Sequence, residues 1–363
     1  MSSPEISVVI TFFREGPLLR ETVESALGQT ASHVEVVLVD NNADPVTREI
    51  AKNFAARIPS SVRYVHEPLQ GVAASKNRGL LESRGRFVAI LDGDDLMDPE
   101  RLRLQKEAFL ENPGVSLVST WYDRVSMDNK IEVRKDVSQT EPSIWYDTQE
   151  ILKELFPCEE GSGNGETLHF PLISTAFFEK KTALAAGGFE NRFNPRWFED
   201  IEFFLRMYAR GEFVKVPRSL VRYRISSPEA MEIKQRQMDW VGLCRQRDLF
   251  FRILWDRFGS QSEKTRKIFQ RLAGLWLRYE SLNFLRYRDG KELGVRMLTR
   301  SLRADVNSHN TWKLWAKTKL PQDLYPKLFW FGTFMEDPLP ESATKELVDL
   351  LFFVEKVRTP SEG

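Results

Sequence analysis

Four short runs rich in β-branched residues recur through the first hundred positions: ISVVITFF (Ile6–Phe13), VEVVLVD (Val34–Asp40), VRYVHE (Val62–Glu67) and RFVAILD (Arg86–Asp92). Their length and composition suit buried strands. Between them lie segments with helical spacing. PLLRETVESALGQ opens on Pro17, suited to a first helical turn, and sets Leu18, Leu19, Val23, Ala26 and Leu27 on one face. PVTREIAKNFAARI and GVAASKNRGLLESRG complete a β-α-β-α-β-α-β series. Right-handed crossovers fold such a series into a mostly parallel α/β sheet flanked by helices. Ligands of these sheets bind beyond the carboxyl ends of the strands.

That rim is where the acids fall. Glu15 follows the first run, Asp40 ends the second, and Asp92, Asp94 and Asp95 follow the fourth in AILDGDDLMDP. An Asp-Gly turn in solvent is the plain explanation of the last three. The alternative is a cation, because carboxylates brought together repel and raise one another's pKa. A hard ion with oxygen ligands that shares its shell with phosphate fits Mg2+ or Mn2+, and the ligand would then be a nucleoside diphosphate. TFFREGP contains no GxGxxG, and no GK[ST] follows, so neither a dinucleotide fingerprint nor a P-loop supplies the phosphate grip.

Four stretches, VVITFFRE, LVDNNADP, ASKNRGLLESRGRF and AILDGDDLMDP, resemble in order and separation the motifs of the family 2 glycosyltransferases of the GT-A, Rossmann-like fold. Further on, AFFEKKTALAAGGFENRF and WFEDIEFFLRMYARGEF are similar to the acceptor-side region of that family, which extends the likeness to about residue 225. The resemblance implies an inverting, metal-dependent transfer from a UDP-, GDP- or dTDP-sugar to a saccharide or lipid-linked saccharide, in surface polysaccharide synthesis. Carried over by position, Asp40 meets the nucleobase, and Thr11, Phe13 and Glu15 lie against the nucleoside. Lys76 and Asn77 belong to the donor-binding helix, and Asp92 places ribose or sugar. Asp94, with Asp92, holds Mn2+ or Mg2+ in the DXD motif, and Asp200 is the catalytic base with Glu199 beside it. These two acids open a segment, Glu199 to Arg210, that reads as a helix closed by Gly211, so the helix dipole is expected to keep Asp200 ionised.

Three positions depart from the family pattern: Thr11 replaces a usual Pro, Lys76 a usual Arg, and Ser226 in YRISS a usual His. Lysine holds phosphate as a point charge, and a hydroxyl is a poorer metal ligand than imidazole. Arg78 is expected to be surface charge. His33, His66, His169 and His309 form no ligand spacing and are expected to be structural. The polar, glycine-bearing stretch 128–165 suits either a mobile acceptor-side loop or an insertion.

The sequence suggests a GT-A domain over 1–228, divided into a nucleotide-sugar half (1–114) and an acceptor half (115–228), then a helical appendage over 229–363. Net charge is zero, yet Lys and Arg number 28 against 35 acids in 1–230 and 17 against 9 in 231–310. The basic part suits domain docking or peripheral contact with an anionic membrane. Its aromatic helical stripes suit a core or subunit interface better than a lipid surface. Nucleic acid is not expected, since no reader motif accompanies the charge. Oligomer formation is left open. The two cysteines, Cys158 and Cys244, lie far apart, and no signal segment or spanning apolar run is evident, so a cytoplasmic protein, at most peripheral at the inner membrane face, is expected. Two other functions stay open. A sugar nucleotidyltransferase would use similar acids but wants a basic, glycine-rich loop that TFFREGP lacks. A catalytically inactive scaffold or glycan-binding relative is hinted at by Ser226 and opposed by the intact Asp92, Asp94 and Asp200.

Overall fold

The computed structural model describes residues 3–133, 171–195, 198–226, 240–259, 262–285, 290–304 and 309–319. The chain divides into two compact units, one of Met1–Thr140 with Cys158–Met231 and one of Glu141–Pro157 with Glu232–Gly363.

The first unit is built on a single sheet. β1 (Ile6–Phe12), β2 (Val34–Asp40), β3 (Val62–His66) and β4 (Phe87–Asp92) pair in parallel in the order β3-β2-β1-β4, as the alternation of strand and helix runs requires. The sheet continues through β8 (Phe177–Glu179), antiparallel to β4, to β6 (Val115–Val125), β9 (Glu212–Arg224) and the short β5 (Leu96–Met97), while β7 (Ile131–Val133) pairs with β6. α1 (Leu18–Leu27), α2 (Pro45–Arg57), α3 (Val72–Glu82), α4 (Arg101–Glu111), α5 (Lys180–Ala185) and α6 (Glu199–Tyr208) complete the unit.

Both faces of the sheet are covered, which is why the strands read as continuous apolar runs rather than alternating ones. Val8, Ile10 and Phe12 of β1 pack in one core with Val23 of α1, Phe54 of α2 and Leu102 of α4. Val9 points the other way, into a core with Leu80 of α3 and Phe203, Phe204 and Met207 of α6. Asp44 caps α2 by accepting from the N–H groups of Val46 and Thr47, which fixes where that helix starts.

The second unit is helical where described: α7 (Trp240–Leu254), running into a π-turn over Trp255–Gly259, then α8 (Glu263–Leu285), α9 (Lys291–Ala304) and α10 (His309–Lys317). Its aromatics mostly turn inward, as amphipathic spacing suggests. Phe250 and Trp276 are buried, Trp255 packs edge-on against Phe269, and Trp312 stays exposed. Among the described residues no helix is long and apolar enough to cross a membrane. The stretch 134–165, His169 and the apolar segment 345–358 lie outside the described residues.

Candidate active site

Strand register assembles the acid rim. Thr11 stands opposite Asp92, and Phe12 opposite Asp40, so the carboxyl ends of β1, β2 and β4 lie side by side. Glu15 turns back to this edge and accepts from the N–H of Phe13 at 2.6 Å. Burial is the main reason its carboxyl is pushed up to about 7, with Asp94 and Asp92 adding to it against hydrogen bonds from main-chain N–H groups. Burial also raises Asp92, aided by Glu199 and opposed by Lys76. Asp95 is raised well above its usual range by burial, then by Asp94 and Asp92. Its Oδ1 accepts from the N–H of Arg224 at 3.1 Å, and its buried Oδ2 has no hydrogen-bond partner among the described residues.

A hard divalent cation fits this donor set, because it would relieve carboxylates that burial and mutual repulsion hold above their usual range. Among the described residues no group of three acidic, histidine or cysteine side chains is placed to hold a metal ion. Asp94 and Asp92 would be the residues to hold such an ion, with phosphate and water completing its shell.

Across from the rim stands the first turn of α6. Phe198, in left-handed conformation at φ 68°, precedes it. Lys76 of α3 donates from Nζ to Glu199 Oε1 at 2.9 Å, with both side chains buried. Burial would lower the ammonium's pKa, but Glu199, Asp92 and Asp200 together raise it. Glu202, one turn on, is held by two hydrogen bonds from Arg206. Asp200 accepts from the N–H of Ile201 at 2.8 Å, and no ion pair to it is seen among the described residues. Its carboxyl is pushed up to about 6, first by burial, then by Glu199, with Lys76 opposing. The helix end was expected to keep Asp200 ionised; burial and its acidic neighbour raise its pKa against that, yet at about 6 the carboxyl stays mostly ionised at neutral pH and able to accept a proton.

The remaining sequence-predicted residues separate by what they touch. Asp40 is fully buried; it accepts from the N–H of Ala43 at 2.7 Å, Arg48 Nε at 2.7 Å and Tyr64 Oη at 2.5 Å. Burial would raise its pKa, but these three donors together lower it. Its carboxylate thus anchors the strand end. Phe13 is half-buried, with the Arg14 guanidinium 4.6 Å above its ring. Asn77 points away from the acids; its amide donates to the carbonyl of Phe189 at 2.8 Å and accepts from the same residue's N–H at 2.7 Å. Arg78 pairs with Glu82 at the surface, as expected.

Sequence reasoning passed over three residues. Arg224, buried at the end of β9, donates to the carbonyl of Asp94 at 2.7 Å, to Asn129 Oδ1 at 3.0 Å and to Glu21, and so ties the acid loop to α1. Arg101, also buried, donates to the carbonyls of Ile90 and Ala176, and burial draws its pKa down to about 9 with Asp95 opposing. Tyr223 packs edge-on to Tyr122 at 6.0 Å; burial and then Asp95, Asp92 and Asp94 push its phenol up to about 12, so it stays a neutral donor. The Tyr-Arg of YRISS was the available signal, overshadowed by Ser226 two positions on.

The family model described as glycosyl transferase family 2 matches residues 7–165. That stretch takes in the four parallel strands and the acid rim. The putative glycosyltransferase EpsH of Bacillus subtilis (strain 168) is 24% identical over 250 residues, which is 67% of each chain. EpsJ of the same organism, an uncharacterized glycosyltransferase, is 28% identical over 131 residues, and the match spans only 37% of its length. In fold, the chain is similar to the mannosyltransferase PcManGT from Pyrobaculum calidifontis, solved with GDP-Man and Mn2+, at 16% identity and a TM-score of 0.53 over 98% of this chain and 87% of that one. It is also similar to S. aureus TarS 1-349, at 13% identity and a TM-score of 0.50 over 93% and 95%. These likenesses establish a GT-A type mixed sheet with helices, followed by a helical region.

Proposed function

We propose that the protein is an inverting glycosyltransferase that moves one sugar from a nucleotide-sugar to a hydroxyl of a saccharide or lipid-linked saccharide, in the assembly of a cell-surface polysaccharide. The observation that carries this is the facing of two acid sets: Glu15, Asp92, Asp94 and Asp95 at the strand ends, and Asp200, raised to about 6, close enough to Asp92 to feel its charge. The nucleoside lies along Thr11, Phe13 and Glu15, with Asp40 anchoring the floor of that edge. The nucleobase is U, G or T, and PcManGT, with its GDP-Man, supports a sugar diphosphate as donor class.

The acceptor oxygen forms a bond to the anomeric carbon, its proton passes to a carboxylate oxygen of Asp200, and the bond from that carbon to the diphosphate oxygen breaks. The electron pair leaves on the nucleoside diphosphate, and configuration inverts. Asp94 and Asp92 would hold Mn2+ or Mg2+, which would supply positive charge for the leaving group. Asp200 needs no covalent intermediate.

Calorimetry of the full chain with UDP, GDP, dTDP and CMP, with and without Mn2+, tests this. Metal-dependent binding of one nucleotide, lost in Asp94→Ala, is expected. Binding of none would favour an inactive scaffold and overturn the proposal.

A further inference from the structure

The segment that delivers Asp200 is tied to α3 by contacts along that helix's first two turns. The carbonyl of Pro195 accepts from the N–H of Val72 at 3.0 Å, and Asn194 Oδ1 lies 3.2 and 3.3 Å from the N–H groups of Ala73 and Ala74. Lys76 reaches Glu199, and Asn77 clasps Phe189 from both sides of its amide. Two glycines make this approach feasible. A Cβ on Gly71, at φ +145°, would fall 2.0 Å from Asn194 Oδ1, and one on Gly188, at φ +64°, 2.5 Å from Asn77 Oδ1. So α3, expected to serve the donor, commits the side chains of Lys76 and Asn77 to the chain segment that carries Asp200.

We propose that Lys76 is a positioning residue: through its buried ion pair with Glu199 it fixes the turn that presents Asp200, rather than gripping donor phosphate. The inference rests on the glycosyltransferase function proposed above. The Lys76 ammonium is 3% exposed, lies 5.7 Å from the Phe189 ring centroid, and is influenced by Glu199 and Asp200 from α6 and by Asp92 from β4. To hold a phosphate it would have to leave Glu199 behind, and a buried carboxylate stripped of its partner is strongly unfavourable. Glu199 in turn is committed to Lys76 and unavailable as a base, so the adjacent Asp200 takes that role. Because Glu199 and Asp200 are neighbours on one helical turn, displacement of the first moves the second, and misplacement of a reacting group by about 1 Å costs on the order of 100-fold in rate.

The test compares Lys76→Met, Lys76→Arg, Glu199→Gln and the double variant Lys76→Met/Glu199→Gln, measuring kcat, donor KM and nucleotide Kd in Mn2+. If Lys76 acts through Glu199, each neutralising single variant loses roughly 100-fold in kcat while nucleotide Kd stays within about threefold. The double variant is no worse than the poorer single, because residues in one ion pair are not additive. Lys76→Arg recovers most of the rate. A Lys76→Met that weakens nucleotide binding by more than about tenfold, beside a Glu199→Gln that leaves it intact, would instead make Lys76 a phosphate ligand. Losses that multiply in the double variant, or a lower melting temperature with kcat unchanged, would also overturn the inference. Should Lys76→Met fail to fold, the near-isosteric Glu199→Gln carries the same kcat-against-Kd comparison. A wild-type chain that binds no nucleotide would refute the underlying function, a result distinct from any of these.

Discussion

Replacing Arg224 with Met should loosen the acid loop and can be costed from the contacts it removes. The side chain of Arg224 is fully buried, whereas that of Glu21, one of its partners, is 46% exposed. Its hydrogen bonds to the carbonyl of Asp94 and to Asn129 Oδ1 are worth about 1 kcal/mol each, and the Glu21 pair, half in solvent, about 0.5 kcal/mol. Leaving the Asp94 carbonyl without its donor adds some desolvation cost, so the total is about 3 kcal/mol. Methionine keeps the apolar stem and the main-chain N–H that Asp95 accepts, so the loss isolates the guanidinium. Glu21→Gln removes only the exposed end and should cost less than about 0.5 kcal/mol. Urea unfolding of the two variants reads these values. Calorimetry of nucleotide with Mn2+ should show Arg224→Met weakened by about tenfold, since Asp94 loses the donor that fixes its main chain. Equal, small costs for both variants, or full metal-dependent affinity in Arg224→Met, would refute the clamp.

Asp200→Asn should abolish transfer, by a thousandfold or more on the scale of general-base loss, while metal-dependent nucleotide binding persists; steady-state kinetics beside calorimetry checks both. In the wild type the rate should fall tenfold per unit below about pH 6, where Asp200 takes a proton. A raised carboxyl favours the protonated fold, so stability contributed this way is lost as pH climbs from the unfolded value near 4 through 6. Asp200→Asn should therefore gain at most about 3 kcal/mol over wild type at pH 8 and little at pH 4, read from urea midpoints at the two pH values. Asp40 behaves oppositely, its pKa being lowered: the stability it supplies is present above the unfolded value near 3.9 and fades as pH drops through its folded pKa. Asp40→Asn should be destabilised at pH 7, and the gap should close in strong acid. Gly71→Ala should cost about 2 kcal/mol or more, since it adds left-handed strain to a clash with Asn194; a melting curve within 1 °C of wild type would contradict that packing.

What the sequence made legible was periodic or local. The four apolar runs became β1 to β4 within a residue or two of their expected ends, because strands buried on both faces leave a continuous apolar trace. The acids at those strand ends followed from topology alone, since parallel connections put every carboxyl end on one side. What stayed hidden depended on distant pairing. Nothing local marks Lys76 as the partner of Glu199, 123 positions away, or Asn77 as the clasp of Phe189. Arg224 was hidden for the same reason: a charged residue ending an edge-side strand reads as solvated until the fold shows its three acceptors. Asp200's raised pKa was missed because a helix terminus is visible in sequence and burial is not.

The balance of charge around the site decides what order of events the protein permits. Glu15, Asp92, Asp94, Asp95, Glu199 and Asp200 converge within reach of one another's fields, and the cations set against them are Lys76, Arg101 and Arg224, the last shared with Glu21. Lys76 is committed to Glu199, Arg101 lies behind the sheet end with Asp95, and Arg224 spends its donors on the carbonyl of Asp94 and on side chains outside the acid set. Burial and neighbouring acids raise the pKa of Glu15, Asp92 and Asp95 at that rim, so a divalent cation there would favour their charged forms. Under the proposed function a diphosphate would bring charge of the same sign, and a cation bound before it or with it would offset the repulsion. The proposed function therefore predicts that metal supports donor binding as well as the chemical step. Nucleotide affinity should then collapse in excess chelator and be unaffected by Asp200→Asn, whereas a metal needed only for chemistry would leave binding intact and abolish transfer alone.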